Sequence, residues 1–120
     1  MRHPRYFSGP HQAVEVVRKC TEDRFLMKPD PYLRSRMIGV YARAQQLYGM
    51  TVYAVVALSN HTQDLIAPES PDQRTNWLRH TGTNLSKLIK RHRGWEAPVF
   101  ARRASVIPLT SELPTFVERL

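Results

Sequence analysis

The chain has 120 residues, 42% hydrophobic and 23% charged, enough for one domain with a buried core and too few for two of ordinary size. That composition excludes a disordered chain. No run reaches the ~20 apolar residues of a membrane span, the N-terminal stretch MRHPRYFSGP lacks a secretory apolar core, and the single cysteine, Cys20, excludes an internal disulfide or a multi-cysteine zinc site.

In chain order, residues 1–12 are polar and basic, with Pro4, Gly9 and Pro10, and read as a flexible basic arm ahead of one domain over 13–120. Val14 to Lys19 and Arg24 to Met27 read as extended, either one bent strand or a hairpin. A helix follows. Asp30 suits the N-cap, Pro31 the first turn, and Leu33, Met37, Val40, Tyr41, Ala44 and Leu47 make one apolar stripe before Gly49 stops it. Thr51 to Leu58 is a β-branched apolar run that predicts a central strand buried on both faces. Ser59-Asn60 is turn chemistry, and His61 to Ala67 predicts a second strand, antiparallel to the first across so short a connection. Ser70 and Gln73 make a capping box for a second helix, whose stripe is Trp77, Leu78, Thr81, Leu85, Leu88 and Ile89 and whose stop is Gly94. Pro98 to Pro108 holds a last strand, and Ser111 to Leu120 begins a further helix. The order β-α-β-β-α-β predicts an α+β, ferredoxin-like split βαβ fold, an antiparallel sheet with its helices on one face.

Charge is the first functional signal. The chain carries +8 in total, and Arg74, Arg79, Lys87, Lys90, Arg91, Arg93, Arg102 and Arg103 against Glu96 concentrate most of it between residues 74 and 103. Solubility charge is usually spread with mixed signs, so this clustering points to a nucleic-acid partner. Trp95, beside the basic strand, suits stacking on a base or packing against the helix end. His61 and Gln63 are two apart on a strand and share a face, the open one if the helices cover the other. An imidazole and an amide oxygen so placed suit a hard divalent cation whose shell is completed by water, or two solvated polar side chains. His80 and His92 read as solvated, and Cys20 as an inert thiol. No paired carboxylates, nucleophile–base pair or glycine-rich phosphate loop supports a small-molecule enzyme.

The segment YAVVALSNHTQDLIAP, Tyr53 to Pro68, resembles the strand-turn-strand core of the REP-associated tyrosine transposases, members of the HUH endonuclease superfamily. RFLMKP at Arg24 to Pro29, ARAQQLYG at the end of the first helix, and TNLSKLIKRHRGWEAPVFARR from Thr83 to Arg103 are similar to further family segments, in the family's order. The resemblance implies a bacterial, cytoplasmic, mobile-element DNA-binding protein that nicks and joins single-stranded or hairpin DNA. It implies Mg or Mn at the two motif positions, here His61 and Gln63, and a tyrosine nucleophile on a C-terminal helix. It also implies DNA contact by Arg74, Lys87, Lys90, Arg91, Arg93, Trp95, Arg102 and Arg103. This sequence departs from the pattern. Gln63 replaces the second histidine, Thr62 and Asp64 stand at bulky or apolar positions, and no tyrosine follows Tyr53. No catalytic residue is therefore assigned, and the final helix is expected to be cut short at Leu120. Asp64, on the core side of its strand, is costly unless it is paired or the strand end is exposed. The alternative is a non-enzymatic nucleic-acid-binding remnant or regulator. An RRM-type version lacks its Lys/Arg-Gly-aromatic signature.

Overall fold

The computed structural model describes residue 7 and residues 9–101 and 103–109. The final helix predicted over 111–120, most of the arm and Arg102 lie outside the described residues. Strand β1 is Val14–Lys19, and α1 is Pro31–Tyr48. The Asp30 carboxylate caps α1 by accepting from Leu33 N at 2.7 Å. Gly49 ends it at φ 61°, a left-handed conformation that suits a residue without Cβ. Strands β2, Thr51–Ala57, and β3, His61–Ala67, form a hairpin. Helix α2, Pro71–Arg93, is capped by Ser70 Oγ accepting from Gln73 N at 3.1 Å, and β4 is Ser105–Pro108. The sheet order is β2-β3-β1-β4 with every pair antiparallel. This is the ferredoxin-like split βαβ arrangement predicted above.

The structure corrects several local expectations. Arg24 to Met27 is not a strand. After Cys20 the chain enters a short 3-10 turn, Thr21–Asp23, in which Glu22 and Asp23 take φ 52° and 54°, and these left-handed residues end the pairing. Leu26 and Met27 instead plug the core from a loop. Strand β2 is an edge strand, not a central one, and leaves Val52, Tyr53 and Val55 exposed, as is Leu58 just after it. An apolar run signals a strand but not its place in a sheet. Among the described residues the last strand is shorter than predicted, with an isolated bridge between Cys20 and Phe100 before β4. Gln73 reaches back not to Ser70 but to Glu69 N, at 2.7 Å, while its amide nitrogen donates to Tyr48 O at 2.9 Å and ties the two helices together.

The central strand β3 is the most polar one, and its buried carboxylate is paired while the buried Thr62 hydroxyl has no hydrogen-bond partner among the described residues. Asp64, fully buried, meets Arg18 of β1 at 3.0 Å. Tyr41 of α1 donates to its other oxygen at 2.8 Å. Arg18 also reaches Leu78 O at 3.3 Å and the Thr81 hydroxyl, both on α2. One ion pair thus joins two strands to both helices. Burial pushes the Asp64 carboxyl up, and Arg18 pulls it back toward ionisation. Because Asp64 and Arg18 contact α1 and α2, the helices cover this face of the sheet. His61 and Gln63, one residue out of phase, face away from them.

At the end of the domain where β1 leaves the sheet, Asp30 carries a second charge cluster. His92 Nε2 lies 2.8 Å and Arg93 Nη2 3.4 Å from Asp30 Oδ2. The Leu33 N–H and the His92 hydrogen bond together hold the Asp30 carboxyl below its usual range. A depressed carboxylate gives its stability in full above the ordinary pKa and loses it as pH falls through the folded value. Asp30→Asn keeps a capping oxygen and removes the charge. Its melting temperature is expected to fall less steeply than the wild type's below about pH 5. Parallel acid limbs in a pH series of thermal melts would rule this contribution out.

Candidate metal and nucleic-acid site on the open sheet face

The open face of β3, β1 and β4 floors a cleft of about 470 Å3 lined by Glu15, Val17, Lys19, Asp23, Asn60, His61, Gln63, Ser105 and Ile107. Strand register sets its layout, with Lys19 opposite His61 and Val17 opposite Gln63. The turn residue Asn60 places its Oδ1 2.9 Å from His61 Nδ1. A carboxamide oxygen only accepts, so Nδ1 carries the proton and Nε2 keeps its lone pair. An outer-sphere oxygen on one ring nitrogen is the usual arrangement around a metal-binding imidazole. Asn60 is itself fixed, because its carbonyl accepts from Cys20 N at 2.8 Å.

Two carboxylates in the cleft escaped sequence reasoning. Glu15, 3% exposed, points to the open face by the alternation of β1. That alternation was legible, but its neighbour across the sheet was not. Asp23 reaches the cleft only because Glu22 and Asp23 turn left-handed, which no local signal announces. Among the described residues no three His, Cys, Asp or Glu side chains group closely enough to hold a metal by themselves. The donors that suit a cation are therefore His61 Nε2 and the Gln63 amide oxygen, with a carboxylate nearby and waters completing the shell.

The predicted DNA-contact residues do not form one patch. Arg103 is exposed and lines the cleft that adjoins the first, with Lys19 and Asp23. Lys87 and Arg91 are exposed and Lys90 is half-buried on α2, in the layer behind the sheet. Arg74 is not a surface residue. It is 4% exposed, with its guanidinium 5.5 Å from the Phe7 ring. The correction is physical: Arg74 shares the buried side of α2 with Trp77 and Leu78. Arg93 donates to Leu26 O at 3.0 Å and to Lys28 O, so it anchors the loop before α1. Trp95 packs against the core under the Arg24 guanidinium, 4.9 Å from its ring. Cys20 is buried, and burial pushes its thiol up, which suits an inert core group.

No protein-family profile matches the chain, and no curated protein sequence matches it. Solved structures do. A REP-associated tyrosine transposase solved bound to a REP hairpin superposes with a TM-score of 0.68, covering 98% of this chain and 68% of that one at 10% identity. A Deinococcus radiodurans R1 protein assigned as a transposase superposes with a TM-score of 0.66, covering 99% of this chain and 94% of that one at 6% identity. The chain has a transposase-like fold.

Within this transposase-like domain none of the described tyrosines lines the cleft. Tyr41 is a core group bonded to Asp64, and burial pushes its hydroxyl up. Tyr48 sits edge-on to His80 at 5.7 Å, Tyr32 stacks on His92 at 4.9 Å, and Tyr53 is exposed on the edge strand. Among the described residues, no helix is long and apolar enough to cross a membrane.

Proposed function

We propose that this transposase-like domain binds single-stranded or hairpin DNA across the open sheet face and holds one divalent cation, Mg or Mn, at His61 and Gln63. The observation that carries the reading is the His61 ring. Asn60 occupies Nδ1 and leaves the Nε2 lone pair for a metal beside Gln63, in a cleft on the sheet face opposite the helices of a transposase-like fold. The neighbour solved with a REP hairpin supports DNA, in hairpin form, as the partner. A cation bound there supplies Lewis-acid polarisation of a phosphodiester oxygen. The chain's own residues do the rest. His61 and Gln63 orient the phosphate, Asn60 fixes the imidazole tautomer, and Lys19 and Arg103 neutralise flanking phosphates.

The second reading is a nucleic-acid-binding remnant or regulator without nicking activity. It is favoured by the cleft lining, in which, among the described residues, no tyrosine, serine-base pair or cysteine stands ready to attack. The two readings share the binding surface and differ in strand cleavage.

Manganese is expected to raise the melting temperature of the wild type and to leave that of His61→Ala unchanged, since Nε2 is the stronger of two ligands. Equal shifts in both proteins would remove the metal from this site. Fluorescence anisotropy with a DNA hairpin carrying a single-stranded flank, against blunt duplex, across salt and with or without manganese, tests the reading as a whole. Tighter hairpin binding that strengthens with manganese is the expected result. Equal, salt-sensitive binding to both would leave only general polyanion attraction.

A further inference from the structure

The end of the domain next to His61 carries aromatic rings and cations that the cleft does not use. The loop over residues 24–28 is held there from two sides. Met27 N donates to Ser59 O at 2.9 Å, and Arg93 Nε donates to Leu26 O at 3.0 Å. The loop is thereby pinned between the β2–β3 turn, which bears Asn60 and His61, and the last turn of α2. Phe25 projects from it with 66% of its surface exposed. In the first turn of α1, Tyr32 is 49% exposed. His92 stacks on Tyr32 with ring centroids 4.9 Å apart and planes 24° from parallel. The Arg36 guanidinium lies 5.1 Å from the same ring. Arg24, beside Phe25, lies 4.9 Å from the Trp95 ring.

Singly exposed apolar residues are ordinary on a protein surface. Here the rings recur with guanidinium groups on one pinned end of the fold, and exposed Lys28 and Arg91 add charge. Two of the nearby acids face cations. Glu22 lies 3.9 Å from Arg24, and Asp30 holds His92 and Arg93. Aromatic faces set among cations suit a ligand that alternates flat π-systems with phosphates. Duplex DNA hides its base faces, whereas a single strand offers them. Guanidinium planes also take stacked bases, so the Arg36–Tyr32–His92 column and the bare Phe25 ring are two such platforms.

We infer that Phe25 and the Arg36–Tyr32–His92 column form a stacking platform for unpaired bases, which leads a single strand toward the His61 cleft. This rests on the nucleic-acid reading above and adds the contact that distinguishes single strand from duplex. Bases stack on Phe25 and on the column, while Lys28 and Arg91 take phosphates. The platform is sequence-tolerant, because every base has a π-face.

The test is anisotropy with fluorescein-labelled oligo-dT and with blunt duplex, for wild type, the Phe25→Ala/Tyr32→Ala double variant and Phe25→Trp. Phe25 is largely and Tyr32 about half solvent-exposed, so thermal melts are expected to show folded variants. The double variant is expected to lose about tenfold on oligo-dT for each ring removed and to change on duplex by less than about twofold. Phe25→Trp keeps a larger ring and is expected to bind oligo-dT at least as well as wild type. A wild type that binds neither probe defeats the nucleic-acid reading and the platform with it. A wild type that binds oligo-dT as tightly as the double variant does defeats the platform alone, as does an equal loss on both probes. Should the double variant fail to fold, weaker oligo-dT binding by Phe25→Trp overturns the inference.

Discussion

Asp64→Ala is expected to cost about 3–5 kcal/mol of stability, because it strands the Arg18 guanidinium without its counter-charge in a dry interior. For a domain of this size the melting temperature falls by roughly 10–20 °C. The structure makes the cost specific. Arg18 is 3% exposed and cannot swing to water, since Leu78 O and the Thr81 hydroxyl hold its far nitrogen. The ion pair itself contributes less than its loss suggests, because desolvating two ions offsets much of their attraction. A double replacement by apolar residues of similar shape, Arg18→Met with Asp64→Leu, is therefore expected to recover most of the stability lost by Asp64→Ala. Thermal or urea melts of Arg18→Met, of Asp64→Leu and of the double measure the coupling. A double variant as unstable as the sum of the singles would show that the network, not the stranded charge, holds β3 in place. Tyr41→Phe makes a smaller cut, since it removes one hydrogen bond and leaves the ion pair intact.

The same pair shows what the sequence could and could not reveal. The helices were legible from local chemistry. Asp30 and Ser70 cap as expected, and Gly49 and Gly94 take the left-handed conformation at the stops. Those signals act within one turn. The sheet order was legible through element order and the short hairpin, which leave few topologies. The burial of each strand was not. Thr51–Ala57 reads as core yet lies at an edge, while the central His61–Ala67 buries a carboxylate, Asp64, whose partner the strand itself does not name. The difference lies in Arg18, 46 residues from its partner Asp64, and no local pattern encodes that distance. His61 and Gln63 followed from strand alternation alone, and the structure sets them together in one cleft. Asp23 arrived through an unsignalled left-handed turn. The charge of Arg74 and Arg93 is visible in sequence, but neither the burial of Arg74 nor the loop carbonyls that the exposed Arg93 engages is. One serves the core and the other a loop anchor.

Reversing Lys19 and Arg103 to glutamate is expected to weaken single-strand binding on the order of a hundredfold at low salt, while reversing Arg79 and Lys87 changes it little. Both pairs shift the net charge equally, so the comparison separates position from total charge. Lys19 stands opposite His61 in the sheet register, and Arg103 lines the adjoining cleft. Arg79 and Lys87 are exposed on α2, behind the sheet. If phosphates lie on the open face, losing two contacts lowers the slope of log affinity against log salt by about 1.4, at ~0.7 per contact on a single strand. A general polyanion binder would lose alike from both pairs, because its attraction depends on total charge and not on where a strand runs. Loss confined to Arg79 and Lys87 would route the DNA over the helices, away from His61, and the cation site would then have no phosphate to act on. The salt slope of these two variants thus decides whether the cleft is where DNA is held, independently of whether the chain cleaves it.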